Sequence, residues 1–292
     1  MKRVLLRRIA CAVDQSEHSA ALLRRTLVLA SLHDAEVTVL HVTDRPRLQP
    51  GSVQRTAEDL FSNLRRLTQS LIERGSVRWV LAHGNPATEV ARYVRSAHAD
   101  LVVLGRSSSR PATGMVGTVA EAVLRGAICP ILVMPRATHR DAPSEPPFRE
   151  ILCGVCSGLS RTTLRHALSL AQEFESRLTI LNVDHDHRAN PDHPAVQSEI
   201  QRLRVAIPDT ANEWCEIDEF VTAGDPAMEL TRAADRLDAD LVVVGASVVP
   251  VIGQGLGSAA LGALALTRAH VLVVPIPESL RESSAARRLV HT

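Results

Sequence analysis

Short runs of consecutive apolar residues alternate along the chain with longer stretches in which apolar residues recur every three or four positions. The short runs are typical of strands buried on both faces of a parallel sheet, and the longer stretches have the period of amphipathic helices. The strands predicted in the first half are 8–13, 36–42, 77–82, 101–104 and 129–134. The helices predicted there are 20–31, 53–74, 86–98 and a shorter one that begins at 118. This alternation predicts an α/β fold with a parallel sheet, helices on both faces and right-handed crossovers.

The same pattern then repeats. The segment ADLVVLG at 99–105 matches ADLVVVG at 239–245, and VLAHGNPATE at 80–89 matches FVTAGDPAME at 220–229, each 140 residues apart. The chain is therefore predicted to be a tandem duplication. Between the copies, residues 136–148 are rich in proline and have no apolar period, which is typical of a linker. We expect a first domain at 1–135, this linker, and a second domain at 149–292.

Charge and composition exclude several classes of function. Lys+Arg of 33 against Asp+Glu of 32 gives a net charge of +1, and aromatic residues make up 2% of the chain, so nucleic-acid binding is not expected. Lys2 is the only lysine, which excludes a phosphate loop or a Schiff base that depends on lysine. No apolar segment approaches 18 residues and the N-terminus does not resemble a signal peptide, so we expect a soluble, cytoplasmic protein with no membrane partner.

The stretch 101–120 has the layout of an anion site. A buried strand ends at Gly105, a loop rich in Ser and Arg follows, and Gly117-Thr118 opens a helical pattern. The first turn of a helix leaves backbone N–H groups unpaired, and Arg106 and Arg110 add positive charge. The alternative is an ordinary loop whose glycines only turn the chain.

Asp14 directly follows the first predicted strand, and Ser16 is predicted to cap the helix after it. Since ligands of parallel sheets bind at the carboxyl ends of the strands, Asp14 and the loop after Gly105 are predicted to share one rim.

Several motifs resemble those of the universal stress protein family. They are AVDQS at 12–16, LHV at 40–42, HGNPATEV at 83–90, and ADLVVLG at 99–105 with GTVAEAVLRGAICPILVM at 117–134. The resemblance covers nearly the whole chain, twice over. It implies two tandem Rossmann-like domains, each a five-stranded parallel sheet with helices on both faces, that pair within one chain. It also implies that some members bind ATP and others do not.

In the ATP-binding members the motif is G-x2-G-x9-G-[ST]. By resemblance, Asp14 contacts the adenosine, Val42 contacts adenine through its backbone, and Gly105 lies near the ribose and phosphates. Ser108 stands in place of the second glycine, and the gap to Gly117 is one residue short. The residues expected to contact ATP, with or without Mg²⁺, are Asp14, Val42, Gly105, Arg106, Ser108, Arg110, Gly117, Thr118 and Val119.

The second domain departs further from this motif. Cys156 stands at the position of Asp14, and Val248 at that of the second glycine. The loop 245–258 carries no charge. We therefore expect no nucleotide in the second domain, whose role is predicted to be structural.

Two other constellations have alternative interpretations. Cys153 and Cys156 form a CxxC, but Cys153 lies within a predicted strand, which favours a buried thiol over redox chemistry. Cys156, His185 and His187 follow strand ends of the second domain and are an alternative metal site, although loops rich in Asp and His are commonly just solvated.

No catalytic triad or carboxylate pair can be assembled from the sequence, so at most slow ATP hydrolysis is expected. The favoured function is a cytoplasmic stress protein in which ATP acts as a stabilising or conformational switch. The alternatives are a nucleotide-free protein that acts through an unknown protein partner, and a metal or ligand sensor at the Cys156 rim. A homodimer is expected if the exposed edges of the fifth strands pair.

Overall fold

The computed structural model of the chain describes residues 4–43, 50–72, 76–106, 118–126, 128–135, 148–155, 160–184, 194–247 and 258–276. The chain divides into two compact units. The N-terminal unit is Leu5–Asp141, and the C-terminal unit is Ala142–Thr292 together with Met1–Val4.

The N-terminal unit alternates strand and helix from end to end. Its elements are β1 (Arg8–Val13), α1 (His18–His33), β2 (Glu36–Thr43), α2 (Pro50–Ile72), β3 (Val77–His83), α3 (Pro86–Ser96), β4 (Leu101–Gly105), α4 (Thr118–Arg125) and β5 (Ile131–Met134). The strands pair in the order β3-β2-β1-β4-β5, and every pair is parallel. The predicted five-stranded parallel sheet is confirmed.

Helices cover both faces of this sheet, as the contacts of two side chains of β2 show. His41 packs against Phe61 of α2, whereas Thr38 accepts a hydrogen bond from Tyr93 of α3. Positions 38 and 41 of a strand point to opposite faces, so α2 and α3 lie on opposite sides of the sheet.

The C-terminal unit repeats the same plan. Its elements are β6 (Glu150–Val155), α5 (Ser160–Phe174), β7 (Arg177–Asp184), α6 (Pro194–Ala206), a 3₁₀ helix (Asp209–Glu213), β8 (Ile217–Ala223), α7 (Pro226–Arg236), β9 (Leu241–Ser247), α8 (Ser258–Leu266) and β10 (His270–Ile276). The strands pair in the order β10-β9-β6-β7-β8, again all parallel. The repeated α/β architecture predicted from the sequence is confirmed.

An aspartate in each ADL segment fixes the start of the central strand of each sheet. One carboxylate oxygen of Asp100 accepts the backbone N–H groups of Arg7 and Arg8, both at 2.9 Å. Asp240 does the same for Arg149 and Glu150, at 2.9 and 3.0 Å. These charged hydrogen bonds satisfy donors that the sheet ladder leaves unpaired, which accounts for the repeat of this residue.

One local expectation is corrected. The residue before α1 is Glu17 rather than Ser16, and Glu17 makes no capping bond with its side chain. Ser16 donates instead to the Asp14 carboxylate, because a short polar side chain near an Asp readily forms a local turn. Phe148, placed in the linker by its proline-rich surroundings, is only 2% exposed and packs against Phe174 with ring centres 5.4 Å apart. The rest of the linker, 136–147, lies outside the described residues.

Among the described residues, four helix-to-strand turns place a residue other than glycine in the left-handed region. Asp34 and Glu175 follow α1 and α5, with φ of 50° and 52°. His98 and Asp238 follow the ends of α3 and α7, with φ of 50° and 49°. Each such residue carries a local conformational cost that glycine avoids.

Candidate functional site

The order of the strands places a switch point at β1. From β1 the chain passes through α1 to β2 on one side, while β4 lies on the other side of β1. The carboxyl ends of β2, β1 and β4 therefore form one continuous rim. In sheets of this kind, ligands bind at this point.

The register of the strands brings three predicted site residues to the same level of the rim. Val13 lies opposite His41, so Asp14 and Val42 come directly after one pair. Ala12 lies opposite Leu104, so Gly105 is within one position of Asp14. The structure thus brings Asp14 and Gly105 to one rim, as their positions after strand ends predict, and Val42, expected there from the resemblance, lies at the same level.

Asp14 is exposed, and its carboxylate is held by the loop that follows it. The backbone N–H of Ser16 donates to Asp14 Oδ1 at 2.9 Å, and the Ser16 hydroxyl donates to the same oxygen. Ser19 Oγ lies 3.0 Å from Oδ1 and 2.8 Å from the Asp14 carbonyl oxygen, and it accepts the Asp14 backbone N–H at 3.0 Å. These contacts fix the carboxylate at the carboxyl end of β1.

The backbone of Val42 is directed toward β1. Gly84 donates its N–H to the carbonyl of Thr43 at 3.0 Å, so that carbonyl points toward β3. Successive residues of a parallel strand direct their carbonyls to opposite neighbours, so the carbonyl of Val42 points toward β1, past its last strand residue. This orientation suits a backbone contact to a ligand on the rim.

Gly105 lies at the end of β4. Among the described residues, a Cβ added there would meet only Leu22 Cδ2, at 4.0 Å, which is ordinary van der Waals contact. The next residue, Arg106, is half-buried and its backbone N–H donates to Met134 at 2.7 Å. Burial lowers the pKa of the Arg106 guanidinium below its ordinary value, although arginine stays charged at neutral pH. A positive charge therefore directly follows Gly105 in the chain.

The remaining predicted contacts are described only in part. Thr118 is the first residue of α4, and Val119 is half-buried in its first turn. Glu121 also lies in that turn and pairs with Arg125 one turn later. Ser108, Arg110 and Gly117 lie outside the described residues.

The matching place in the C-terminal unit is filled by the protein itself. A Cβ added at Gly245 would lie 2.6 Å from Ile276 Cδ1 and 2.7 Å from Thr163 Oγ1. Ile276 belongs to β10, which continues past Pro275, and Thr163 belongs to α5. The two units thus share a fold but differ, among the described residues, in what surrounds this glycine.

Sequence patterns did not indicate this filling. The one signal in the sequence was an apolar residue, Ile276, directly after the Val-Val-Pro segment 273–275. Its contact with a glycine 31 residues earlier in the chain follows from the sheet order.

The cysteine and metal hypotheses have different outcomes. Cys153 is fully buried in β6, as predicted, and burial raises its pKa to about 12, so it remains a thiol at neutral pH. Cys156, His185 and His187 lie outside the described residues. Within the described part of the chain, no three His, Cys, Asp or Glu side chains are grouped to hold a metal ion. Across the same residues, no helix combines the length and apolar character needed to cross a membrane.

Comparison with known proteins gives consistent matches. A model of the universal stress protein family matches residues 6–135 and again residues 147–275. Universal stress protein MJ0531 of Methanocaldococcus jannaschii is 28% identical over 143 residues, which cover 44% of this chain and 82% of that protein. A universal stress protein of Methanothermobacter thermautotrophicus is 31% identical over 126 residues, which cover 39% of this chain and 86% of that protein.

A solved structure matches almost the full length. The crystal structure of a universal stress protein from Archaeoglobus fulgidus aligns with a TM-score of 0.69 at 16% identity, covering 92% of this chain and 98% of that chain. At this identity the likeness concerns the fold alone.

Proposed function

The chain belongs to the universal stress protein family, and on that premise we propose that its N-terminal unit binds ATP or a related adenine nucleotide on the rim formed by Asp14, Val42 and Gly105. The C-terminal unit has a structural role in this proposal. The protein acts in the cytoplasm, as a homodimer, and the nucleotide serves as a stabilising or conformational switch.

The contrast between the two glycines carries the proposal. Among the described residues, only Leu22 comes near a Cβ added at Gly105, whereas Ile276 and Thr163 already lie where a Cβ at Gly245 would be. This difference at equivalent positions favours one ligand site per chain. The family supports the choice of ligand, since one universal stress protein has been solved in complex with cAMP.

The chemistry of the rim suits a nucleotide. The Asp14 carboxylate accepts hydrogen bonds from nucleoside hydroxyls, and the Val42 backbone meets the base. Arg106 supplies positive charge beside Gly105, where the phosphates would lie. The N-terminus of α4 provides backbone N–H donors for the same group. ATP therefore fits the residues present, and Mg²⁺ would accompany its phosphates.

A bound nucleotide would stabilise the N-terminal unit by contacting several of its strands and helices at once. One ligand on this rim contacts the ends of β1, β2 and β4 and the start of α4, so it stabilises the folded N-terminal unit over the unfolded chain. The described rim residues offer no base positioned for water, since Asp14 is held by Ser16 and His41 is turned inward toward Val13. We therefore assign the nucleotide a binding role with at most slow hydrolysis.

A crossed pair of glycine variants tests the proposal by thermal unfolding with and without excess ATP and Mg²⁺. At about 100 times its Kd, ATP should stabilise the wild type by about 2.7 kcal/mol. Gly105→Ala should unfold like the wild type, because its Cβ would lie at an ordinary contact distance from Leu22. The same variant should lose the response to ATP. Gly245→Ala should be destabilised by about 1 to 3 kcal/mol through overpacking and keep the full response.

Asp14→Ala completes the set and should abolish the response to ATP. A wild type that shows no stabilisation by ATP, and carries no nucleotide when purified, would overturn the proposal. An equal response in wild type and Gly105→Ala would place any bound nucleotide away from this rim.

A further inference from the structure

We infer that His41 is a positioning residue for the nucleotide rim: its side chain holds the Val13–Asp14 peptide and thereby orients Asp14. The inference deepens the proposed function and rests on it for the ligand. The positioning itself concerns contacts within the N-terminal unit alone.

The geometry of His41 is that of a buried donor. The side chain is only 6% exposed, and its Nδ1 lies 2.9 Å from the carbonyl oxygen of Val13. A carbonyl oxygen only accepts hydrogen bonds, so Nδ1 carries the proton and donates. The carbonyl has two lone pairs, so it accepts this bond without displacing the β1–β2 ladder.

This one hydrogen bond joins the two strands next to both proposed nucleoside contacts. Asp14 follows Val13, and Val42 follows His41, while Val13 and His41 are the last pair of the β1–β2 register. The peptide group between Val13 and Asp14 shares the carbonyl that His41 holds. Its orientation therefore sets the direction in which the Asp14 side chain leaves β1.

Aromatic packing fixes the His41 ring in place. The ring meets Phe61 of α2 edge-on, with centres 6.4 Å apart, and Phe61 packs on Trp79 at 5.2 Å. The guanidinium of Arg65 lies 4.7 Å from the centre of the Trp79 ring. The imidazole is thus confined between a carbonyl and a ring, which limits the motion of the bond it makes.

The C-terminal unit has other residues at the positions of His41 and Trp79. Val155 lies opposite Asn182, so Asn182 takes the place of His41 there. Glu219 stands at the position of Trp79 and pairs with Arg204 instead. The histidine and its aromatic support occur in the unit that has Asp14, which is the distribution expected if they serve the rim.

Three variants at one position test the inference. His41→Phe keeps the ring but removes the donor, and His41→Gln places its amide nitrogen near Nε2, out of reach of Val13. His41→Asn places an amide nitrogen where Nδ1 was. Hydrogen exchange of the Asp14 and Ser16 amides, followed by NMR without nucleotide, should be faster in the Phe and Gln variants and return toward wild type in Asn. The Ile9 and Ala10 amides report whether β1 remains folded.

The affinity for ATP should follow the same order. Loss of one hydrogen bond is expected to raise Kd about fivefold in His41→Phe and His41→Gln, with recovery in His41→Asn. Asn182→Ala, at the matching position of the C-terminal unit, is the control and should change neither the exchange of Asp14 nor the affinity.

The outcomes separate this inference from the proposed function. If the wild type binds ATP and all three variants bind equally, the inference is wrong and the proposed function stands. If the wild type does not bind ATP, the proposed function fails, and the exchange rates still decide whether His41 holds Asp14. Uniform exchange of Asp14 and Ser16 across the variants would overturn the positioning role.

Discussion

Thr38 and Thr179 occupy the same place in the second strand of the two units, and both are buried. Thr38 accepts a hydrogen bond from the Tyr93 hydroxyl at 2.9 Å. At the position of Tyr93, α7 has Ala233, and the Thr179 hydroxyl has no hydrogen-bond partner among the described residues. A buried hydroxyl without a partner costs free energy, because it gave up its hydrogen bonds to water.

Replacing the hydroxyl by a methyl group should therefore have opposite effects at these two sites. Thr179→Val is expected to raise the free energy of unfolding by about 1 kcal/mol, since it removes an unpaired polar atom and keeps the shape. Thr38→Val is expected to lower it by about 1 kcal/mol, since Tyr93 loses its acceptor. Urea denaturation of both variants measures the difference, and a loss of stability in Thr179→Val would contradict this account.

At the scale of the elements, the two units differ in side-chain size where the central strand packs against its covering helix. Gly154 of β6 faces Leu230 of α7, and a Cβ on Gly154 would lie 2.6 Å from Leu230 Cδ2. In the N-terminal unit the corresponding residues are Ala12 and Val90. A smaller strand residue thus accompanies a larger helix residue, which keeps the packed volume similar.

A double-mutant cycle should show this compensation. Gly154→Ala is expected to cost about 1 to 3 kcal/mol by overpacking, and Leu230→Val about 0.5 to 1.5 kcal/mol by loss of a methylene. The double variant restores the pair found in the N-terminal unit, so its cost should be smaller than the sum of the two. Additive costs, measured by urea denaturation, would show that the two residues do not adjust to each other.

Elements of this fold are predictable from sequence because their signals are local. The apolar runs give β1 and β3 within one residue of their observed bounds, and Pro86 marks the first turn of α3 as expected. The rim formed by Asp14, Val42 and Gly105 follows in turn from the order of parallel strands. These features need only the period of the apolar residues and the rule for strand ends.

The details that distinguish the units are not local, and sequence reasoning missed them. Ile276 reaches Gly245 only through the pairing of β9 and β10, and Phe148 is buried only because Phe174 and His270 surround it. Ser16 donates its hydroxyl to Asp14 and does not cap α1, because the helix begins one residue later than a cap at Ser16 implies and a carboxylate two residues earlier offers the hydroxyl a charged acceptor.

At the scale of the whole molecule, each unit contains one of the two tryptophans of the chain. Trp79 lies in β3 beside Phe61, and Trp214 follows the 3₁₀ helix of the C-terminal unit. Both are half-buried, so each should change its fluorescence when its own unit unfolds. Trp79→Phe and Trp214→Phe variants then report on one unit at a time.

If only the N-terminal unit binds ATP, the nucleotide should act on one reporter more than on the other. In Trp214→Phe, unfolding seen through Trp79 should shift upward with excess ATP, by the stabilisation expected for ligand-linked folding. In Trp79→Phe, the transition seen through Trp214 should remain where it is without ATP. Equal shifts in both variants would contradict a ligand effect confined to one unit.

The left-handed residues Asp34, His98 and Glu175 have a practical consequence for protein engineering. Each lies at a separate helix-to-strand turn where glycine is the usual residue, so the free energy of unfolding can still be raised at these positions. Glycine at these distant turns should add nearly independent increments to the free energy of unfolding. Such a reinforced background would tolerate destabilising changes on the rim, and would let weak-binding variants be compared as fully folded proteins.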